Sequence, residues 1–147
     1  MTRVYVDMVA DLFHYGHVEF LRRARELGDT LVVGIHSDET AAAYKRLPIM
    51  SLDERVGVVE ACRYVDEVVP DAPLVLTEGW IAQHQIDLVV HGDDMDDEAL
   101  DTMYRVPREL GILRTVPYTA GISTTLLRER MEKQSSDRPE TESSEAE

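Results

Sequence analysis

One cysteine, one tryptophan, two phenylalanines and only 15 lysines and arginines among 147 residues set the first limits on this chain. Cys62 has no partner for an intramolecular disulfide, so nothing points to an oxidising compartment, and its apolar helical surroundings make it a core residue. No apolar run approaches the length of a membrane span. The chain enters an apolar stretch at Val4 without the basic segment and long apolar segment of a secretory leader, so a cytoplasmic location is expected. Asp and Glu number 29, giving a net charge of −14, and such a surface repels nucleic acid and anionic membranes. A small anionic ligand is still allowed where cations gather locally, the candidates being Lys45, Arg46, Arg55 and Arg63. A high-salt host would account for the same acidity.

Hydrophobic residues make up 44% of the chain, enough for one domain with a core. No internal repeat is apparent. Short runs rich in Val, Ile and Leu recur at Val4–Val9, Thr30–Ile35, Glu67–Val69, Leu88–His91 and Ile112–Val116, with apolar residues at helical spacing between them. Runs apolar on both faces suit a buried parallel sheet. Their alternation with helices predicts an α/β, Rossmann-like doubly wound fold, five-stranded and mostly parallel, with helices on both faces. This domain is expected to span residues 1–131. From Glu132 on, the Ser-, Glu- and Asp-rich sequence has too few apolar residues to offset the entropy of ordering, so 132–147 is expected to be a disordered acidic tail.

Local chemistry marks the boundaries. The helical pattern opens at Val18, and a helix over Glu19–Leu27 is expected to end at Gly28 in a left-handed cap. Ser51-Leu52-Asp53-Glu54 is a capping box opening a helix toward Arg63. Thr77 caps a helix reaching Ala82, and Asp101–Leu110 reads as a helix closed by Gly111, which Pro107 breaks or restarts. Ser123 or Thr124 starts a last helix over Leu126–Met131. Between Ala43 and Met50 lies a basic connection holding Lys45, Arg46 and Pro48.

The chemistry concentrates at two helix starts. Asp11-Leu12-Phe13-His14-Tyr15-Gly16-His17 puts two histidines around a glycine where the first strand gives way to the first helix. There, free backbone N–H groups and the positive end of the helix dipole favour phosphate. A spacing of three directs both rings to one side; an arbitrary pair of this kind is more often two half-exposed surface histidines, and Gly16, with room for a phosphate, shifts the balance. Zinc is disfavoured, because His36, His84 and His91 belong to other elements and there is no second cysteine. Gly121-Ile122-Ser123-Thr124-Thr125 holds more hydroxyls than one N-cap needs, which suggests donors to further phosphate oxygens. Asp93 and Asp94 follow Val89-Val90-His91-Gly92 at a strand's carboxyl end, the ligand side of such sheets, whereas Asp96, Asp97 and Glu98 read as solvated.

The blocks DLFHYGH, GDTLVVGIHSDE, PIMSLDERV, CRYVDEVV, HGDD and GISTT, in that order up to Met131, resemble the cytidylyltransferase branch of the HxGH nucleotidyltransferases, which includes the ethanolamine-phosphate, choline-phosphate and glycerol-3-phosphate enzymes. The resemblance implies transfer of CMP from CTP to a small phosphoalcohol, as in making phospholipid or cell-envelope precursors, with Mg²⁺ held mainly by CTP and a homodimeric assembly. It implies catalytic roles for His14, His17 and Lys45. Nucleotide contacts would fall at Val9, Ala10, Gly16, Arg63, Asp94, Gly121, Ile122, Ser123 and Thr124, and acceptor contacts at Lys45, Arg55 and Leu74.

The chain departs from this pattern at Met8, where a glycine is usual, at Ala10 for a phenylalanine, at Leu74 for an aromatic, and at Tyr118 for an arginine. Trp80 reads as core rather than as a substitute aromatic, and Arg114 is the candidate to replace the missing cation. The HGDD-to-GISTT insertion favours an ethanolamine-phosphate-like acceptor, with glycerol phosphate the alternative. Adenylyl transfer by the same superfamily and a nucleotide-binding regulatory protein without turnover are the competing readings.

Overall fold

Strand alternation divides the core into two layers. The computed structural model describes residues 1–137. Strands β1 (Arg3–Met8), β2 (Thr30–Ile35), β3 (Glu67–Pro70), β4 (Leu88–Gly92) and β5 (Leu113–Val116) pair in the order β3-β2-β1-β4-β5, every pairing parallel. Between them run α1 (Tyr15–Arg25), α2 (Asp38–Tyr44), α3 (Leu52–Glu60), α4 (Glu78–Gln83), α5 (Asp97–Met103) and α6 (Arg105–Glu109), and α7 (Thr124–Asp137) follows β5. Successive strand residues face opposite sides. Val4, Val6, Leu31, Val33, Ile35 and Val90 pack with Leu21 and Ala24 of α1 and Val59 of α3, with Cys62 against that layer. Tyr5, Val32 and Val89 form the other layer with Ile81 of α4 and Tyr104, and Trp80 packs there as expected of a core residue.

The α/β doubly wound fold expected from the sequence is thus present, and its topology places the site. The chain moves outward from β1 to β2 and β3, then crosses back to add β4 and β5 on the other side of β1. That reversal opens a crevice beyond the carboxyl ends of β1 and β4, where open α/β sheets take ligands.

Several boundaries differ from expectation. Helix α1 starts at Tyr15, ahead of Val18, because His14 caps it, and it closes at Glu26. Gly28 is not left-handed; a Cβ there would meet Val4 Cγ2 at 2.6 Å, so close packing against β1 explains it. The stretch read as one helix over Asp101–Leu110 is two, α5 and α6, divided at Tyr104. An uninterrupted helix would drive the Pro107 ring into the carbonyl of Met103, so the chain breaks before the proline, which sits harmlessly in the first turn of α6. Asp96, read as solvated, caps α5 by accepting the Ala99 N–H at 2.8 Å. The Ser51 capping box, the Thr77 cap and Gly111 (φ +74°) are as expected. Helix α7 runs on through Asp137, six residues past Met131, where the domain was expected to end, and residues 138–147 of the expected tail lie outside the described residues.

Arg55, expected to bind the acceptor, is instead fully buried. Its Nη1 donates to the carbonyls of Val9 and His36, both at 2.8 Å, its Nε to Met50 O at 3.1 Å, and its Nη2 to Asp38 at 2.5 Å. The guanidinium ties the ends of β1 and β2 to the turn before α3, and four of its five N–H donors are spent on the fold. Arg55→Ala should therefore cost about 3 kcal/mol of stability, since it leaves buried carbonyls unsatisfied. A urea titration measures this; an unchanged midpoint would return Arg55 to the substrate-binding set.

Candidate active site

The turn after β1 is strained and tightly capped. Ala10 and Leu12 adopt left-handed backbone, φ +60° and +49°, which non-glycine residues hold only where the surroundings enforce it. His14 is the N-cap of α1: its Nδ1 accepts the Gly16 N–H at 3.0 Å, and His17 Nδ1 accepts the His14 N–H at 3.0 Å. Each neutral ring therefore carries its proton on Nε2, which is its remaining donor. The rings lie 4.0 Å apart, and Phe13 stacks on His17 at 5.1 Å. Burial, reinforced by the neighbouring His14 and Lys45, holds the His17 pKa down to about 3, and burial lowers that of His14 as well. Gly16 was expected to admit a phosphate, but a Cβ there would lie 2.8 Å from His14 Cε1 and 3.2 Å from Ile122 Cγ2. Its bareness lets the His14 ring fold back over the helix start.

Helix α7 begins opposite. Ser123 Oγ accepts the Leu126 N–H at 3.0 Å, and Thr124 Oγ1 donates to Asp11 O at 2.8 Å. Thr125 Oγ1 accepts from Arg46 Nη2 at 2.5 Å. Thr124 has thus spent its proton on the turn, whereas Ser123 and Thr125 keep theirs. Buried Asp11 accepts the N–H groups of Ile49 and Met50, both at 3.0 Å, and so pins the basic connection across the crevice. Lys45 closes α2, and burial and nearby Arg46 lower its pKa.

A carboxylate absent from the expected set lies at the bottom. Asp7, in β1, is buried on the Tyr5 face; Tyr104 Oη donates to its Oδ1, and Oδ2 has no hydrogen bond and lies 3.8 Å from His36 Nε2. Burial raises its pKa, with His36 and Tyr104 opposing. His36 Nδ1 lies 3.2 Å from Ala72 O, and His91 packs on Tyr104 at 5.0 Å. The available signal was one acidic residue inside the apolar run VYVDMV, in a strand covered on both faces.

These groups share one cavity of about 590 Å³, a normal size for a small-molecule site. Of the expected residues it gathers Val9, Ala10, His14, Gly16, His17, Lys45, Leu74, Asp94, Ile122, Ser123 and Thr124, together with Arg46 of the candidate cations, and it adds Asp7, His36, His91, Tyr104 and Tyr118. Gly121, at φ +89°, leads into α7 beside it. Arg55 and Arg63 are not brought there; Arg63 is exposed ahead of β3, at the amino edge of the sheet. Arg114 does not replace the missing cation, because its Nη1 donates to Gly111 O at 3.0 Å and Leu113 O at 3.1 Å. Asp93 accepts the Tyr118 N–H at 3.0 Å and is structural, while Asp94 faces the cavity.

A five-stranded parallel sheet with a histidine-capped helix start over its switch point defines a nucleotidyltransferase-type domain. The chain belongs to the cytidylyltransferase-like family, whose model matches residues 8–130. It is 45% identical to a probable ethanolamine-phosphate cytidylyltransferase of Encephalitozoon cuniculi, over 89% of this chain and 41% of that protein. It is 46% identical to the ethanolamine-phosphate cytidylyltransferase of Dictyostelium discoideum, over 87% and 37%. Choline-phosphate cytidylyltransferase A of Rattus norvegicus is 41% identical over 84% and 35%. The chain thus spans only about two fifths of the length of these relatives. Among solved structures, a lipopolysaccharide core biosynthesis protein of Thermoplasma volcanium matches with TM-score 0.66 at 26% identity, over 83% of this chain and 99% of that one. No helix among the described residues is long and apolar enough to cross a membrane.

Proposed function

We propose that this domain transfers CMP from CTP to ethanolamine phosphate, forming the CDP-alcohol and pyrophosphate. Cytidylyl transfer is supported by the family and by the curated relatives named for it. The primary amine is supported by one observation above all, the Asp7 carboxylate, whose residue lines the cavity and whose buried Oδ2 has no hydrogen-bond partner. An ammonium group arriving there would meet a desolvated acceptor that nothing else satisfies. Leu74 offers no aromatic face to a quaternary ammonium.

An oxygen of the acceptor phosphate attacks the α-phosphorus in line; the bond from that phosphorus to the oxygen bridging the β-phosphate breaks, and pyrophosphate leaves with the electron pair. No covalent enzyme intermediate is required. The Nε2–H groups of His14 and His17 donate to oxygens on the α-phosphorus as charge develops, and the Lys45 ammonium spans the two reacting phosphates. Of the cavity carboxylates, Asp11 and Asp96 are committed to backbone N–H groups, whereas Asp94 makes no side-chain hydrogen bond among the described residues. Mg²⁺ would be held chiefly by the triphosphate with Asp94 alongside, neutralising charge on the leaving pyrophosphate.

The test supplies CTP and Mg²⁺ with ethanolamine phosphate, choline phosphate or glycerol 3-phosphate, and measures pyrophosphate release and the CDP-alcohol. Ethanolamine phosphate should give the highest kcat/KM, and ATP should not replace CTP. Preference for glycerol phosphate would sink the amine assignment. CTP binding without pyrophosphate release on any acceptor would favour a regulatory protein.

A further inference from the structure

A triphosphate entering this cavity carries several negative charges past the carboxylates of Asp7, Asp94 and Asp96. Among the described residues, the lysine and arginine side chains lining the cavity are Lys45 and Arg46. Their neighbours on the basic connection are pinned to Asp11, which places both residues over the crevice. Arg46 reaches farthest, donating through Nη2 to Thr125 at the start of α7, 79 residues away in sequence. A guanidinium has five N–H donors, and that bond takes one. Beside it stand the Thr124 and Thr125 amides at the start of α7, which the helix itself cannot satisfy, the Leu126 amide being capped by Ser123. Thr119, whose buried Oγ1 has no hydrogen bond, is a lining residue of the same cavity next to Tyr118.

We propose that Arg46, held by Thr125, binds the β- and γ-phosphates of the nucleotide, supplying at this end of the cavity the charge that Tyr118 does not carry and Arg114 does not deliver. This rests on the triphosphate reading of the site. The α-phosphorus must lie at the His14–His17 pair for transfer to occur, so the rest of the triphosphate extends toward the other helix start on this edge, where Arg46 waits. The same contact holds pyrophosphate as it leaves.

The experiment compares CTP, CMP and inorganic pyrophosphate binding, by calorimetry with Mg²⁺ and no acceptor, in the wild type, Arg46→Ala and Arg46→Lys. Loss of a hydrogen-bonded cation should weaken CTP and pyrophosphate binding by about tenfold to a hundredfold in Arg46→Ala and leave CMP unchanged. Arg46→Lys should recover part of the loss. Thr125→Val, which removes the tether and keeps the charge, should give a smaller loss confined to CTP and pyrophosphate. Equal weakening of CTP and CMP would show that Arg46 only shapes the cavity, and unchanged affinities would show that it touches no phosphate; either overturns the proposal. If the wild type prefers ATP, the cytidine assignment fails and the ATP, AMP and pyrophosphate comparison tests Arg46 in the same way. A wild type that binds neither triphosphate nor pyrophosphate overturns both.

Discussion

His14→Asn should leave the protein folded as before and lower kcat by about a hundredfold or more, the loss expected when one preorganised donor is removed from developing charge. Asparagine preserves the structural half of the residue, because its side-chain oxygen can accept the Gly16 N–H as His14 Nδ1 does. It does not present a donor where Nε2–H stands. His14→Ala loses both functions, and its additional cost, about 1 kcal/mol of stability, measures the cap alone. His17→Ala should match it in kcat. Steady-state kinetics paired with thermal melts separate the two contributions. If His14→Asn turns over at near wild-type rate, the ring is a cap and nothing more.

The same geometry fixes a pH dependence. His17 accepts a backbone N–H on Nδ1 and is held near a pKa of about 3 by burial, His14 and Lys45, so in the free protein it works as a neutral donor. An unfolded chain binds a proton at that histidine below about pH 6.5. Between there and the folded value the unfolded state carries more protons, and stability falls as the pH drops through that window. His17→Ala removes this term, so its stability should decline less steeply on acidification than the wild type's. Parallel declines would mean that the ring is protonated in the fold.

What was legible in the sequence and what was not divides along a physical line. Strand runs, most caps and the two phosphate-friendly helix starts are local patterns and stand close to where they were expected, the left-handed cap at Gly28 being the exception. Arg55 could not be read this way, because its partners are main-chain carbonyls 46 and 19 residues distant that exist only once β1, β2 and α3 meet. Two other errors could have been avoided. In a parallel sheet every residue just ahead of a strand lies at the amino edge, which removes Arg63 from a site at the carboxyl edge. Arg114 lies near the amino end of β5 and Tyr118 beyond its carboxyl end, so a side chain at 114 starts from the edge of the sheet away from the site. Asp7 was visible as a charge inside a strand apolar on both faces, a placement that stability alone does not favour.

That cost makes Asp7 the sharpest test of the acceptor. Its carboxyl has a raised pKa because burial penalises the ionised form, with His36 and Tyr104 only partly compensating. A folded pKa above the unfolded one means that stability declines as the pH rises from the ordinary carboxylate range through the folded value, so above that range burial of this carboxyl weighs against the fold. Asp7→Asn removes that term and keeps an oxygen for the Tyr104 hydroxyl, and the variant should melt at or above the wild-type temperature at pH 7 while losing its slope in that window. Its effect on an amine acceptor should run the other way. Truncating one partner of a buried charge pair typically costs 2–5 kcal/mol, so kcat/KM for ethanolamine phosphate should fall by roughly two to three orders of magnitude. Glycerol 3-phosphate, whose hydroxyls need no counter-charge, should lose little or gain. A stabilised variant with undiminished use of ethanolamine phosphate would show that Asp7 does not hold the ammonium, and a destabilised one would mark the residue as part of the scaffold. Only higher stability combined with selective loss of the amine acceptor fits a carboxylate kept uncompensated so that the substrate can complete it.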